Sequence, residues 1–244
     1  MRVWVVALLG SHGARALAPS GGATPSFAAF LSDQQASIVA ELEALDGGGA
    51  AFGADAWARD DGSRGLTRVI EGGDVIEKGC VSTSFIEGTL TRERAAAMTA
   101  RGRAGVDAAG GQRFRAEALS LVLHARSPRV PTLRGDARRF VVLDDDGAAP
   151  RASWFGGGCD LTPAYLDDGD AAAFNAYWRG VCEARRPGSH AGLKRACDER
   201  PPVSTSTSIR TQRGAISREI LLHPRDLMLS TPVSKESSPE QTAI

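Results

Sequence analysis

The sequence predicts an antiparallel β meander with helices before and after it, rather than a parallel sheet built from βαβ units. Three observations carry this. Segments 118–124 (ALSLVLH), 138–143 (RRFVVL) and 151–155 (RASWF) are rich in strand-forming residues and follow one another closely. Their links hold turn formers: Pro128 and Pro131 bracket the first, and DDDG at 144–147 makes the second. Both are too short for the crossover helix that parallel strands need. Helical periodicity occurs outside this region.

From the N-terminal side, Ser26 to Leu45 reads as a helix, with Phe27, Leu31, Ile38, Leu42 and Leu45 on one stripe and Asp33 and Glu41 off it. The glycines of DGGGAAFGADAW, 46–57, then break the pattern. Leu66 to Lys78 reads as two strands about a Gly72-Gly73 turn, and CVSTSFI, 80–86, as an alternating strand. Thr91 caps a short helix running through Ala100. The meander follows, and its third strand ends in the glycine run 156–158. Asp170 to Ala184 is a helix with Phe174, Trp178 and Val181 on one face. A last helix, Leu193 to Arg200, stops at Pro201-Pro202.

At 244 residues, one domain is expected, over 26–200. The hydrophobic fraction of 42% and charged fraction of 24% are those of a globular chain. The formal net charge of zero gives no whole-chain attraction to nucleic acid or to an anionic membrane. Only three of the 29 cationic residues are lysines; the arginine excess suits a partner bearing carboxylates, which the planar fork binds bidentately. The cysteines, at 80, 159, 182 and 197, have neither zinc-site nor disulfide-scaffold spacing, so reduced thiols are expected.

Residues 1–25 read as a leader: Arg2, an apolar run Val3 to Leu9, a small-residue Ala14-Arg15-Ala16 site, then a stretch without acidic residues. A signal followed by a transit-like segment resembles the bipartite presequences of algae with complex plastids, so a plastid location is expected, and otherwise a cytoplasmic one. No segment is apolar for long enough to span a membrane. Residues 201–244 hold thirteen Ser or Thr, five Pro and no aromatic residue, a composition expected to stay disordered apart from a transient helix over Ile216 to Leu222.

The chemistry-bearing residues narrow the choice. Gly156, Gly157 and Gly158 are followed by Cys159-Asp160 rather than Lys-Ser/Thr or a G-x-G-x-x-G frame, so an anionic phosphate would meet a carboxylate. Histidines 12, 124, 190 and 223 are scattered, so no metal site is expected, and no G-x-S-x-G elbow occurs. What remains is a set of polar residues at strand ends: Ser120 and His124 on one strand, Arg134, Asp136 and Arg138 entering the next, and Asp160 after the third. On a meander they can converge on one face; scattered surface charge is the plainer reading of the same residues.

Resemblance separates these alternatives. ALSLVLHARSPRVPTLRGDARRF, 118–140, followed by SWFGGGCDLTPAYL, 153–166, resembles the oxygen-dependent coproporphyrinogen III oxidases. So do DGGGAAFGADAWARDDGSRGLTRVIEGGDVIEKGCVSTSFIEG, 46–88, and DAAAFNAYWRGVCEARRPGSHAGLKRACDE, 170–199, in matching order. The resemblance implies an α+β fold, a large flat antiparallel sheet flanked by helices on both faces, assembled as a homodimer. It implies oxidative decarboxylation of two propionates of coproporphyrinogen III to vinyl groups, giving protoporphyrinogen IX for haem and chlorophyll, with dioxygen as co-substrate and no organic cofactor or metal. It also implies site roles: Asp160 accepts hydrogen bonds from the pyrrole N–H groups, and Arg138 binds a propionate. Ser120, His124 and Asp136 line the substrate, and the three glycines let the backbone lie close to the macrocycle.

The departures from the family pattern are specific. Arg134 stands where the family has a proton-donating histidine, and arginine stays protonated near neutrality. Asn175 stands at a second family histidine, and Asp136 at a usual asparagine. Ser82-Thr83-Ser84 replaces Asn-x-Ser, and Cys80 replaces the second of two glycines. After CDE the family continues with an aromatic run, a basic segment and a GIGG-FFDDL motif, whereas here PPVSTSTS follows; the sheet is therefore expected to be incomplete. A non-catalytic porphyrinogen-binding or dimer-modulating paralogue, or an inactive fragment, is the competing expectation.

Overall fold

The computed structural model describes residues 26–144 and 149–198, the side chains of 196–198 excepted. The expected leader, 1–25, and tail, 201–244, with its Ile216 to Leu222 helix, lie outside the described residues.

Among the described residues ten elements follow in order: α1 (Phe27–Asp46), β1 (Gly53–Ala58), β2 (Arg64–Glu71), β3 (Ile76–Thr89), α2 (Arg92–Ala100), β4 (Arg113–Ala125), β5 (Thr132–Leu143), β6 (Pro150–Thr162), α3 (Asp168–Arg185) and α4 (Ser189–Asp198). The strands form one six-stranded sheet in sequence order, each neighbour antiparallel, so the meander extends well beyond its three expected strands.

The starts of α1 and α2 are capped, Thr91 as expected and Ser26 standing just before α1 rather than within it. Ser26 Oγ accepts from the Ala29 N–H at the start of α1, and Thr91 Oγ1 from Arg94 at the start of α2. Gly47, at φ 63, closes α1 in the left-handed conformation. The buried stripe of α1 differs from the apolar one: it is Phe27, Leu31, Gln35, Val39, Leu42 and Asp46. Gln35 Nε2 donates to the carbonyls of Leu66 at 2.7 Å and Val81 at 2.9 Å, and its Oε1 accepts from Thr83. Counting apolar residues misses a polar side chain that is buried because its hydrogen bonds are satisfied.

Because side chains alternate across a strand, the register assigns every residue to one of two faces. One face is covered by α1 and α3: Val39 and Leu42 pack with Ile70, Val81, Leu123, Leu133, Cys159, Leu161 and Phe174, while Phe27 and Leu31 pack with Leu119 and Phe155. Among the described residues the other is covered at one end alone, where Ala95 and Met98 of α2 pack with Leu90, Phe114, Phe140, Val142 and Trp154. Helices therefore flank both faces, and most of the second face is left open by the described residues.

Three readings of the sequence are corrected. The glycine-broken stretch contains a strand, β1. The strand expected at 80–86 is the middle of the long β3, which starts at Ile76. Most important for the site, β6 does not end at the glycines but continues through them to Thr162, paired with β5 throughout; Gly156, Gly157 and Gly158 stand opposite Arg138, Ala137 and Asp136. A run without side chains offers no alternation to read, so it resembles a loop in sequence while pairing normally in the sheet.

Candidate functional site

Four transverse rows of residues on the open face, each read across the ladders from β3 to β6, frame the site. Ser82, Ser120, Asp136 and Gly158 form one row, and Ser84, Ala118, Arg138 and Gly156 the next. On one side lies Cys80, Val122, Arg134 and Asp160, and on the other Ile86, Ala116, Phe140 and Trp154. Four strands at ~4.8 Å spacing make this strip about 14 Å across between backbones. Residues 40 positions apart in sequence, Ser120 and Asp160 among them, thus meet on one surface.

The two central rows are low. Serine, alanine and glycine positions form a shallow floor from which Asp136 and Arg138 project. These two sit two residues apart on β5 and are ion-paired to each other. A Cβ on Gly156 would come within 3.3 Å of Arg138 Nε, so the missing side chain leaves the guanidinium its space. Arg134 and Asp160 stand directly opposite in the β5–β6 ladder. Asp160 is half-buried and its Oδ1 accepts from Thr162 Oγ1 at 3.3 Å. Thr67 and Ser82 hydroxyls are bonded at 3.1 Å, extending the hydroxyl strip onto β2.

The expected site residues divide as follows. Ser120, Arg134, Asp136, Arg138, Gly156, Gly158 and Asp160 share the open face. His124 is on it too but further along, exposed and 3.3 Å from Thr132 Oγ1. Gly157 alone points to the helix-covered side, where an added Cβ would lie 2.6 Å from the Asp136 carbonyl oxygen. Asn175, on α3, donates to the Ala171 carbonyl of its own helix at 2.7 Å.

Sequence reasoning passed over the wall of this floor. Phe114, Phe140 and Trp154 stack in a ladder, with ring centroids 4.9 Å and 5.0 Å apart. The signal lay in the two-residue steps Asp136–Arg138–Phe140 and Trp154–Gly156–Gly158–Asp160, which place each aromatic beside a site residue.

Behind the floor, Cys159 is buried against α3. Burial, reinforced by the Asp160 and Asp136 carboxylates, pushes its thiol up to about 12, so it stays a neutral packing group. Cys80 faces the open side, half-buried, and burial raises its thiol too.

The family model for coproporphyrinogen III oxidase matches residues 26–211. The chain is 37% identical over 170 residues to the human mitochondrial oxygen-dependent coproporphyrinogen-III oxidase, covering 70% of this chain and 37% of the human protein. It is 32% identical over 220 residues to the chloroplastic enzyme of Hordeum vulgare, covering 87% of this chain and 56% of that one. With coproporphyrinogen-III oxidase 1 of Arabidopsis thaliana, also chloroplastic, it shares 35% over 175 residues, covering 71% and 45%. The chain thus spans between about a third and just over half of the length of these relatives. Both the match of the family model across most of the described fold and the level of identity lead to one assignment: this chain belongs to the coproporphyrinogen III oxidase family.

Proposed function

We propose that the open face of the sheet is a porphyrinogen platform and that this chain serves the oxidative decarboxylation of coproporphyrinogen III to protoporphyrinogen IX. The observation that carries the reading is the gathering of Asp160, Arg134, Arg138 and Ser120 around a floor of glycine, serine and alanine. A tetrapyrrole carries N–H donors at its centre and carboxylates at its rim. Asp160 is an acceptor for the central N–H groups, and Arg138 and Arg134 are cations for propionates.

Each propionate loses carbon dioxide and one hydrogen from the remaining chain, leaving a vinyl group. The two electrons released pass to dioxygen, and with two protons the balance is hydrogen peroxide. In this reading dioxygen is the only co-substrate and neither an organic cofactor nor a metal takes part. The residues of this chain bind and orient: Asp160 fixes the ring and the arginines fix the reacting carboxylates. Homodimer assembly and a plastid location, the latter supported by the chloroplastic relatives, belong to the same proposal.

A specific observation favours a second reading, a porphyrinogen-binding paralogue without turnover. Arg134 occupies the position of a family proton donor, and a guanidinium does not exchange its proton near neutrality. One experiment separates the two. The purified full chain is incubated with coproporphyrinogen III in air, and protoporphyrin fluorescence is followed after chemical oxidation. Product formation establishes the enzyme; saturable binding without product establishes the paralogue; absence of both overturns the platform.

A further inference from the structure

Beside the floor stands a pair of arginines that neither the family motifs nor the sequence reading assigns to a site. Arg94, on α2, has its guanidinium carbon 4.7 Å from the Phe114 ring centroid and 5.2 Å from that of Phe140. Arg103, just after α2, lies 5.1 Å from the Trp154 centroid. The three rings form the continuous stack already described, so two cations are seated side by side along one aromatic wall. Phe140 is two residues from Arg138, and Trp154 two from Gly156, on the same face, a step of about 7 Å.

Several arginines nearby are engaged in ion pairs. Arg138 is paired with Asp136, Arg113 and Arg115 with Glu87, and Arg139 with Glu117. Arg94 and Arg103 are both exposed, and their guanidinium groups make no ion pair or hydrogen bond among the described residues. Among the described residues these guanidinium groups meet ring faces alone, which attract the cation without consuming any N–H donor. A guanidinium held in place with its fork unspent is preorganised for a carboxylate, because part of its side-chain entropy is already lost.

We propose that Arg94 and Arg103 form a second carboxylate clamp, binding propionates of the macrocycle that reach past Trp154 while Arg138 and Arg134 bind those nearer Asp160. The inference rests on the platform reading and adds the specificity it implies: preference for a tetrapyrrole with acidic side chains on every side over one with only two. The aromatic wall sets the distance between the two groups of cations, and so the size of ring that fits.

The test uses the full chain and two air-stable probes, coproporphyrin III with four carboxylates and deuteroporphyrin with two, binding being read from tryptophan fluorescence quenching. The double variant Arg94→Gln, Arg103→Gln is expected to weaken coproporphyrin III about tenfold, the scale of one or two charge-assisted hydrogen bonds, and to change deuteroporphyrin less than twofold. Arg94→Lys with Arg103→Lys restores part of the loss, and the wild-type preference narrows with salt. Arg138→Gln reports on the platform independently. If Arg138→Gln weakens coproporphyrin III and the double variant does not, the clamp is overturned and the platform stands. Equal weakening of both probes by the double variant also overturns the clamp. If the wild type binds neither probe, platform and clamp fail together.

Discussion

Gly156 and Gly157 are neighbours in β6 yet answer to different constraints, because they face opposite sides of the sheet. A methyl group at 157 would press 2.6 Å from the Asp136 carbonyl oxygen and 3.4 Å from Ala137 Cα, backbone atoms that move only with the strand. A methyl group at 156 would meet the end of the Arg138 side chain at 3.3 Å, and that side chain can swing away. Gly157→Ala is therefore expected to destabilise the fold by roughly 1–3 kcal/mol, the range for overpacking, read as a lower urea midpoint. Gly156→Ala is expected to leave the midpoint nearly unchanged and to weaken coproporphyrin III binding by displacing Arg138. The reverse pattern would sink the face assignment. Here the sequence was legible in part: Asp160, Arg138 and Ser120 stand out as polar residues on strand candidates. Which side each faces was hidden, because a glycine run that reads as a loop interrupts the alternation that would have carried the count from Trp154 to Asp160.

The element most dependent on side-chain chemistry is the tie between α1 and the β2–β3 turn. Asp46 ends α1, and its carboxylate accepts from the backbone N–H groups of Asp74 at 3.1 Å, Val75 at 2.9 Å and Ile76 at 2.8 Å. The approach requires Gly73, whose added Cβ would overlap the carboxylate. Burial alone would raise the Asp46 pKa, but the backbone N–H donors outweigh it and hold the group below the usual aspartate range. A depressed folded pKa means that the stabilisation is complete above the unfolded value of about 4 and is lost as pH falls through the folded value. Asp46→Ala should cost about 3 kcal/mol at pH 7 by leaving N–H groups unpaired. Wild-type stability should fall below pH 4 with an acid slope that is shallower in Asp46→Asn, measured as urea midpoints from pH 7 to pH 2. Equal slopes would remove Asp46 from the account. The helix itself was legible from its apolar period and from the glycines that break the pattern after it. Its two buried polar contacts were not, since no local pattern names the strand carbonyls and turn amides that Gln35 and Asp46 meet.

For the whole molecule, the decisive property is asymmetry between the two faces of one sheet. The meander and its antiparallel sense follow from turn chemistry and periodicity, and helices on both faces from the family resemblance. The unequal cover does not, because it depends on where α1, α2 and α3 dock, and docking is a long-range matter that local pattern does not encode. The cysteines report this asymmetry directly. Cys159 lies among α3 and the strands on the covered face, buried and with its thiol at about 12, while Cys80 lies half-buried on the open face in the row of Arg134 and Asp160. Since the thiolate is the reacting species, Cys159 should resist iodoacetamide at pH 8 until the chain unfolds. Cys80, its thiol also raised but reachable, should react slowly in the native state, with both sites assigned by peptide mapping. Coproporphyrin III should slow the labelling of Cys80 and leave Cys159 unaffected, because a ring over Asp160 and Arg134 also covers their row. Labelling of Cys159 at the rate of Cys80 would show the covered face to be open. Protection of neither thiol by a bound ring would place the ring elsewhere on the molecule. The two thiols thus test, in one labelling experiment, which face is packed and which one binds.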